Sequence, residues 1–164
     1  MKNKMKWIGA LFVLVNGSWV WAASLPADLK WETNDTDPVF ASPKALPGGS
    51  ITMFVDSFPL TFRTVGPDSN GAFRSFIMDN QLRPISFHPN TGNPIPSLAT
   101  HWAIAPDNQT VYFKLDPRAK WSDGKPVVAD DYTFGYEMMR SKDIKGPWFN
   151  NYYTTEVVAV EKVD

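Results

Sequence analysis

The stretch Trp102-Ala103-Ile104-Ala105-Pro106-Asp107-Asn108-Gln109-Thr110-Val111-Tyr112-Phe113-Lys114-Leu115 decides how this chain folds. Thr110, Tyr112 and Lys114 alternate with Val111, Phe113 and Leu115, which is the period of a strand with two unlike faces. Pro106-Asp107-Asn108 carries turn chemistry, because proline presets φ while Asp and Asn bond their own backbone and tolerate a left-handed conformation. The short apolar run at 102–105 then becomes the opposing strand. A β-hairpin is predicted here.

Beyond the hairpin, Ser122-Asp123-Gly124-Lys125-Pro126 reads as a tight turn and residues 129–140 as a helix. Asp130 and Asp131 fall in its positive first turn, so dipole stabilisation accounts for them. Tyr132, Tyr136 and Met139 recur at helical spacing and form a core-facing stripe. The run Pro147-Trp148-Phe149-Asn150-Asn151-Tyr152-Tyr153 mixes rings with amides. It suits a surface that stacks on sugars or peptides, but the favoured reading is a set of rings packed under a loop at a lobe edge. Residues 157–163 alternate as a strand would, and the sequence stops there, so the expectation is a chain cut short.

Before the hairpin, residues 88–94 form a loop by composition and are expected to join two strands. Phe73, Phe76 and Ile77 share a helix face, and the turn Gly66-Pro67-Asp68-Ser69-Asn70-Gly71 offers side chains that could cap that helix. Residues 61–65 could be extended. Residues 50–55 alternate Ile51, Met53 and Val55 against Thr52 and Phe54, which predicts a first core strand. Residues 23–49 contain Pro26, Pro38, Pro43 and Pro47 and are read as an extended leader on the surface.

Residues 1–22 read as an export signal: Lys2, Lys4 and Lys6 precede an apolar stretch, and cleavage is expected after Ala22. A spanning helix needs about 20 unbroken apolar residues, and Asn16, Gly17 and Ser18 interrupt this one. An uncleaved anchor is the alternative. Cleavage would remove three lysines and no acid, leaving a mildly acidic exported chain of one modest domain.

The composition excludes several classes of function. The 164 residues include no cysteine, so there is no disulfide framework, thiolate metal site, cysteine nucleophile or lipid-anchoring cysteine. A net charge of −1 gives no support to a phosphate-tracking nucleic-acid surface. His88 and His101 are the only histidines and stand in no ligand spacing, so no metal or other cofactor is expected. No Gly-x-Ser-x-Gly string is present for a serine hydrolase, and no glycine-rich phosphate cradle opens a helix. The adjacent Asp130 and Asp131 point in different directions, unlike a glycosidase pair.

Four strings in order carry a resemblance: Ile95-Pro96-Ser97-Leu98-Ala99-Thr100-His101-Trp102, Thr110 to Leu115, Ala119-Lys120-Trp121-Ser122-Asp123-Gly124-Lys125-Pro126-Val127, and Ala129-Asp130-Asp131-Tyr132. Together they resemble the family 5 extracellular solute-binding proteins, the oligopeptide, dipeptide and nickel receptors of ABC importers. Trp31-Glu32-Thr33-Asn34 and residues 144–152 are similar to the subgroup that takes up oligopeptides, microcin C-like ones included. The resemblance implies an α/β fold of the type II periplasmic binding protein kind. Residues 50–164 would be the amino-terminal part of its first lobe, with a mixed sheet, a hairpin and packed helices.

It further implies a monomeric, non-enzymatic periplasmic receptor that closes two lobes on an oligopeptide and delivers it to membrane permease subunits. Two departures from the family pattern stand out. Asp107-Asn108 replaces the usual Asp-Gly, and Val128 replaces a capping Thr or Ser, so the cap must come from Asp130 or be absent. By their place after the first strand, Arg63, Asn70 and Arg74 are candidates for facing the ligand, an arginine being able to pair with a peptide carboxylate. The rival classes are a secreted enzyme on the same scaffold and a carbohydrate-binding β-module. Part of one lobe leaves apolar surface uncovered, so residues 23–164 are predicted to be poorly soluble or to melt with low cooperativity. A sharp, reversible thermal transition of that segment would contradict this.

Overall fold

The computed structural model describes residues 25–46, 48–55 and 57–163 of the chain. The proposed export signal and its cleavage site at Ala22 lie outside the described residues. Seven elements follow in the order α1 (Phe73–Asp79), β1 (Ile85–Phe87), β2 (Pro94–Pro96), β3 (Ala99–Ile104), β4 (Val111–Leu115), α2 (Ala129–Arg140) and α3 (Pro147–Thr155).

The expected hairpin is β3–β4, antiparallel, with Trp102 opposite Phe113 and Ala103 opposite Tyr112. Its turn is made as the residues dictate. Asp107 Oδ1 accepts the amides of Gln109 and Thr110 at 2.8 and 3.0 Å, and Asn108 adopts φ 55. Asn108 therefore does what glycine would do there. A second hairpin, β1–β2, pairs Ile85 with Pro96 and Phe87 with Pro94 around the loop at 88–93. Among the described residues all strand pairing is antiparallel, in two separate two-stranded sheets, so the expected mixed sheet is corrected.

Residues 25–46 contain no helix or strand, but they are tied to both hairpins. Glu32 and Trp102 form a reciprocal bridge: the Glu32 amide donates to the Trp102 carbonyl at 2.8 Å, and the Trp102 amide to the Glu32 carbonyl at 3.1 Å. The Trp102 indole N–H also donates to Glu32 Oε2 at 3.2 Å. Five residues beyond Glu32, Asp37 Oδ2 accepts from Asn34 at 3.0 Å, Thr91 at 2.7 Å and Asn93 at 3.2 Å. Buried His88 receives the amides of Asn90 and Thr91 on Nδ1, which places its ring proton on Nε2, donating to the Pro38 carbonyl at 2.7 Å. The leader is thus stitched down by polar bonds.

The buried apolar side chains are Ala99, Trp102, Ala103, Ala105, Val127 and Tyr136. Only Trp102 and Tyr136 among them are large. Tyr136, in the expected stripe of α2, reaches the carbonyls of Val158 at 2.7 Å and Val157 at 3.1 Å, and accepts from Arg140. That contact holds residues 157–158 as a hydrogen-bonded extension, and the predicted strand at 157–163 is not formed.

Residues 50–55 and 61–65 likewise form no strand. Ile51 is 85% exposed and Phe54 88%, so among the described residues the alternation at 50–55 has neither a neighbouring strand nor a core to face. A strand without a ladder leaves its backbone groups to water and gains nothing over other extended states.

Capping also differs from expectation. The N-cap of α1 is Ala72, with no side-chain bond, since Ser69 is turned back onto the Gly66 carbonyl at 2.7 Å. In α2 the cap comes from Asp131 instead of Asp130: its carboxylate accepts the Val128 amide at 2.9 Å, one half of a capping box. The same oxygen accepts the Trp121 indole N–H at 3.0 Å. Residues 147–155 form a helix, with Pro147 at its first position. Asn150 donates to the Met139 and Ser141 carbonyls at 3.3 and 3.0 Å, satisfying the end of α2.

Two outcomes follow. Trp102→Ala removes the largest ring of the core and is expected to cost about 3–5 kcal/mol locally, read as faster hydrogen exchange at the Glu32 and β3 amides. Trp102→Phe should loosen Glu32 alone. The Asp37 carboxyl is held below the usual carboxylate range by the Thr91 hydroxyl first, then by Asn34, Asn93 and neighbouring His88. A depressed carboxyl adds stability above its unfolded value near ~4 and loses it as pH falls through the folded value. Acidification below that value is therefore expected to expose residues 33–46 to proteolysis, and Asp37→Asn to expose them already at neutral pH.

Candidate functional site

Two shallow depressions lie around the start of α1. The first, about 390 Å³, lies between residues 57–61 and the turn at 68–74. The second, about 380 Å³, is bordered by Asn70, Arg74, Ser75, Met78, Asp79 and Arg83. Asn70, Gly71, Ala72 and Arg74 belong to both walls.

Of the three residues singled out from the sequence, the structure therefore brings two together. Asn70 is exposed, and Arg74 half-buried, on the shared wall. Arg63 is folded onto its own loop, its Nε donating to Thr61 Oγ1 at 3.2 Å and Nη2 to the Pro67 carbonyl at 3.5 Å, and it borders neither depression. Arg74 is held differently. Its Nε donates to the Thr64 carbonyl at 2.8 Å, and its guanidinium lies 5.9 Å from the centre of the Phe149 ring, within cation–π range.

Phe149 places α3 beside this wall. Gly146, just before α3, packs closely here: a β-carbon there would stand 3.2 Å from Val65 Cγ1, so that side chain would have to give by a few tenths of an ångström. From Phe149 a ladder of rings runs outward. Trp148 meets Phe149 edge-on at 5.0 Å, and Trp148 stacks on Tyr152 at 5.4 Å with 7° between planes. Trp148 is 67% exposed and Tyr152 40%.

Sequence reasoning passed over Arg83 and assigned no secondary structure to 147–153. The signal that could have found the ladder was Pro147 as a helix start, followed by Trp148 and Tyr152 four apart. Among the described residues no group of three acidic or histidine side chains is placed to hold a metal ion. No helix among them is long and apolar enough to cross a membrane.

Residues 93–164 match the family model described as bacterial extracellular solute-binding proteins, family 5 middle. A binding protein of Brucella melitensis is 29% identical over 130 residues, covering 74% of this chain and 21% of that protein. An ABC transporter-binding protein of Deinococcus radiodurans, so named as probable, is 34% identical over 82 residues, 49% of this chain and 14% of that one. The dipeptide-binding protein DppE of Bacillus subtilis is 37% identical over 46 residues, 28% of this chain and 8% of that one. The chain spans about a fifth of the length of the first of these relatives. No solved structure matches it. The matched stretch takes in the β3–β4 hairpin, the Trp121 turn and α2, and with the named relatives it supports a solute-binding protein of family 5.

Proposed function

We propose that this protein is the solute-binding component of an ABC importer, acting outside the cytoplasmic membrane and presenting oligopeptides to membrane permease subunits. The observation that carries the reading is the family 5 match over residues 93–164, which coincides with the hairpin, turn and helix unit built around Trp102 and Asp131. The dipeptide-binding relative supports a peptide as the solute. In this reading residues 50–164 belong to a first lobe, and the ligand is gripped when a second lobe closes on it by a hinge. Peptide main chain is met by polar groups and water, and side chains occupy roomy pockets. The role is retention, with no bond made or broken.

Asn70 and Arg74 remain the proposed ligand-facing residues, supported by their place on the shared wall of the two depressions. Arg63 is proposed only as a residue that shapes the loop at 61–67.

Incubating the purified protein with an oligopeptide mixture, removing free peptide and identifying what co-elutes by mass spectrometry tests the reading. Intact oligopeptides are expected. Recovery of monosaccharides alone would remove the peptide assignment, and turnover of a bound molecule would favour an enzyme on the same scaffold.

A further inference from the structure

We propose that Asn70 is a site of spontaneous covalent modification, a deamidation centre at which the Gly71 amide nitrogen attacks the side-chain amide of the residue before it. The chemistry needs only this chain and water, whatever solute the protein carries.

The reaction balances within those components. The Gly71 nitrogen gives its proton to solvent base and bonds to Asn70 Cγ, and the side-chain nitrogen takes up a proton and leaves as ammonia. A five-membered succinimide results. Water then adds to one of its two carbonyls and opens the ring, giving aspartate where the original main chain is kept and isoaspartate where the chain is rerouted through Cγ. Glycine favours the attack because no β-carbon crowds its nitrogen.

The structure adds the freedom of both reacting groups. Asn70 is exposed, outside helix and strand, and its carboxamide makes no hydrogen bond among the described residues. The Gly71 amide likewise donates to no acceptor among them, although the Gly71 carbonyl accepts the Arg74 amide at 3.0 Å. Neighbouring side chains are occupied elsewhere, Ser69 with the Gly66 carbonyl and Arg74 Nε with the Thr64 carbonyl.

Every other described asparagine is held back. Asn93 precedes Pro94, which has no N–H to attack with. The amides that follow Asn80, Asn90 and Asn108 are engaged by the Met78 carbonyl at 3.2 Å, His88 Nδ1 at 3.1 Å and Asp107 Oδ1 at 2.8 Å. Asn34 is fixed by its side chain to Asp37 and the Pro94 carbonyl, and Asn150 and Asn151 lie inside α3. Asn70 alone among the described residues is followed by glycine.

Its place gives the change two consequences. The depression bordered by Arg74 and Arg83 has Asp79 as its one acid, so a carboxylate at position 70 offsets the remaining positive charge. An isoaspartate also adds a methylene to the main chain two residues before Ala72, the N-cap of α1, and shifts the Gly71 carbonyl that receives the Arg74 amide.

The test is ageing of the purified intact chain at neutral and mildly alkaline pH, followed by tryptic mapping with mass spectrometry and an isoaspartyl methyltransferase assay. Cleavage after Arg63 and Arg74 separates residues 64–74 from the other Asn-Gly pair, Asn16-Gly17, which lies outside the described residues. Asn70 is expected to convert about tenfold faster than Asn90 or Asn108, whose following amides must first leave their acceptors. The rate should rise with pH, since base removes the attacking proton. Gly71→Ala should slow conversion by a similar factor, and a β-carbon there meets nothing within 4 Å, so the fold is kept. Gln109→Gly places a glycine after Asn108, yet that site should stay slow because Asp107 still holds the attacking amide. In the isoaspartate form the Arg74 amide should exchange its hydrogen faster than in Asn70→Asp.

Equal rates at Asn70, Asn90 and Asn108 would overturn the site. Conversion of Asn108 in Gln109→Gly as fast as that of Asn70 would overturn the claim that the fold selects it. Unchanged exchange at the Arg74 amide would remove the effect on α1.

Discussion

The bridge between Glu32 and Trp102 is the constraint on which the described structure depends. Two backbone hydrogen bonds and an indole N–H to carboxylate bond join residues 70 positions apart in sequence. Closing so long a loop costs entropy that local turns do not. Trp102 offsets it by burying its ring in the hairpin that turns at Asn108. The leader, both hairpins and the polar knot at Asp37 are organised from that point.

A second anchor does comparable work for the helical part. One oxygen of Asp131 accepts both the Val128 amide and the Trp121 indole, so the turn at 122–125 and the start of α2 are fixed together. Gly124 adopts φ 88 in that turn, a conformation that costs a larger residue strain. Val128 supplies no side-chain cap, and the one cap bond is made from within the first turn, by Asp131 to the Val128 amide. Asn150 then closes the far end of α2, which carries α3 and its rings to the wall containing Arg74. Packing that positions a helix and geometry that positions a candidate ligand contact are here the same set of bonds.

The core is small for the number of apolar residues present. Phe58 is 98% exposed and Ile51 85%, so the segment before α1 contributes little burial. Apolar alternation states a preference for a half-buried strand, and the preference is realised only where a partner supplies hydrogen bonds. Among the described residues, 50–55 and 157–162 have the pattern without a strand partner, whereas 110–115 have both. A single physical distinction therefore separates the strands that formed from those that did not.

The elements legible from sequence were those whose stabilising partners are near in the chain. The β3–β4 turn, the limits of α2 and its Tyr136 stripe follow from turn chemistry, dipole placement and helical spacing, all of which act within a few residues. The helix at 147–155 was hidden because Asn150-Asn151 weakens helical propensity. Asn150 is tolerated there because its amide serves the end of a different helix. In the candidate site, Asn70 and Arg74 were visible as polar residues after a turn. Arg63 could not be told apart from them until its bonds to Thr61 and Pro67 were known. Sequence alone determined the hairpin, the turn and the long helix, because local energies suffice for them. Tertiary structure alone decided that Arg74 and Arg83 border one depression and that Phe149 of α3 comes within cation–π range of Arg74, because their approach is set by contacts that no spacing encodes.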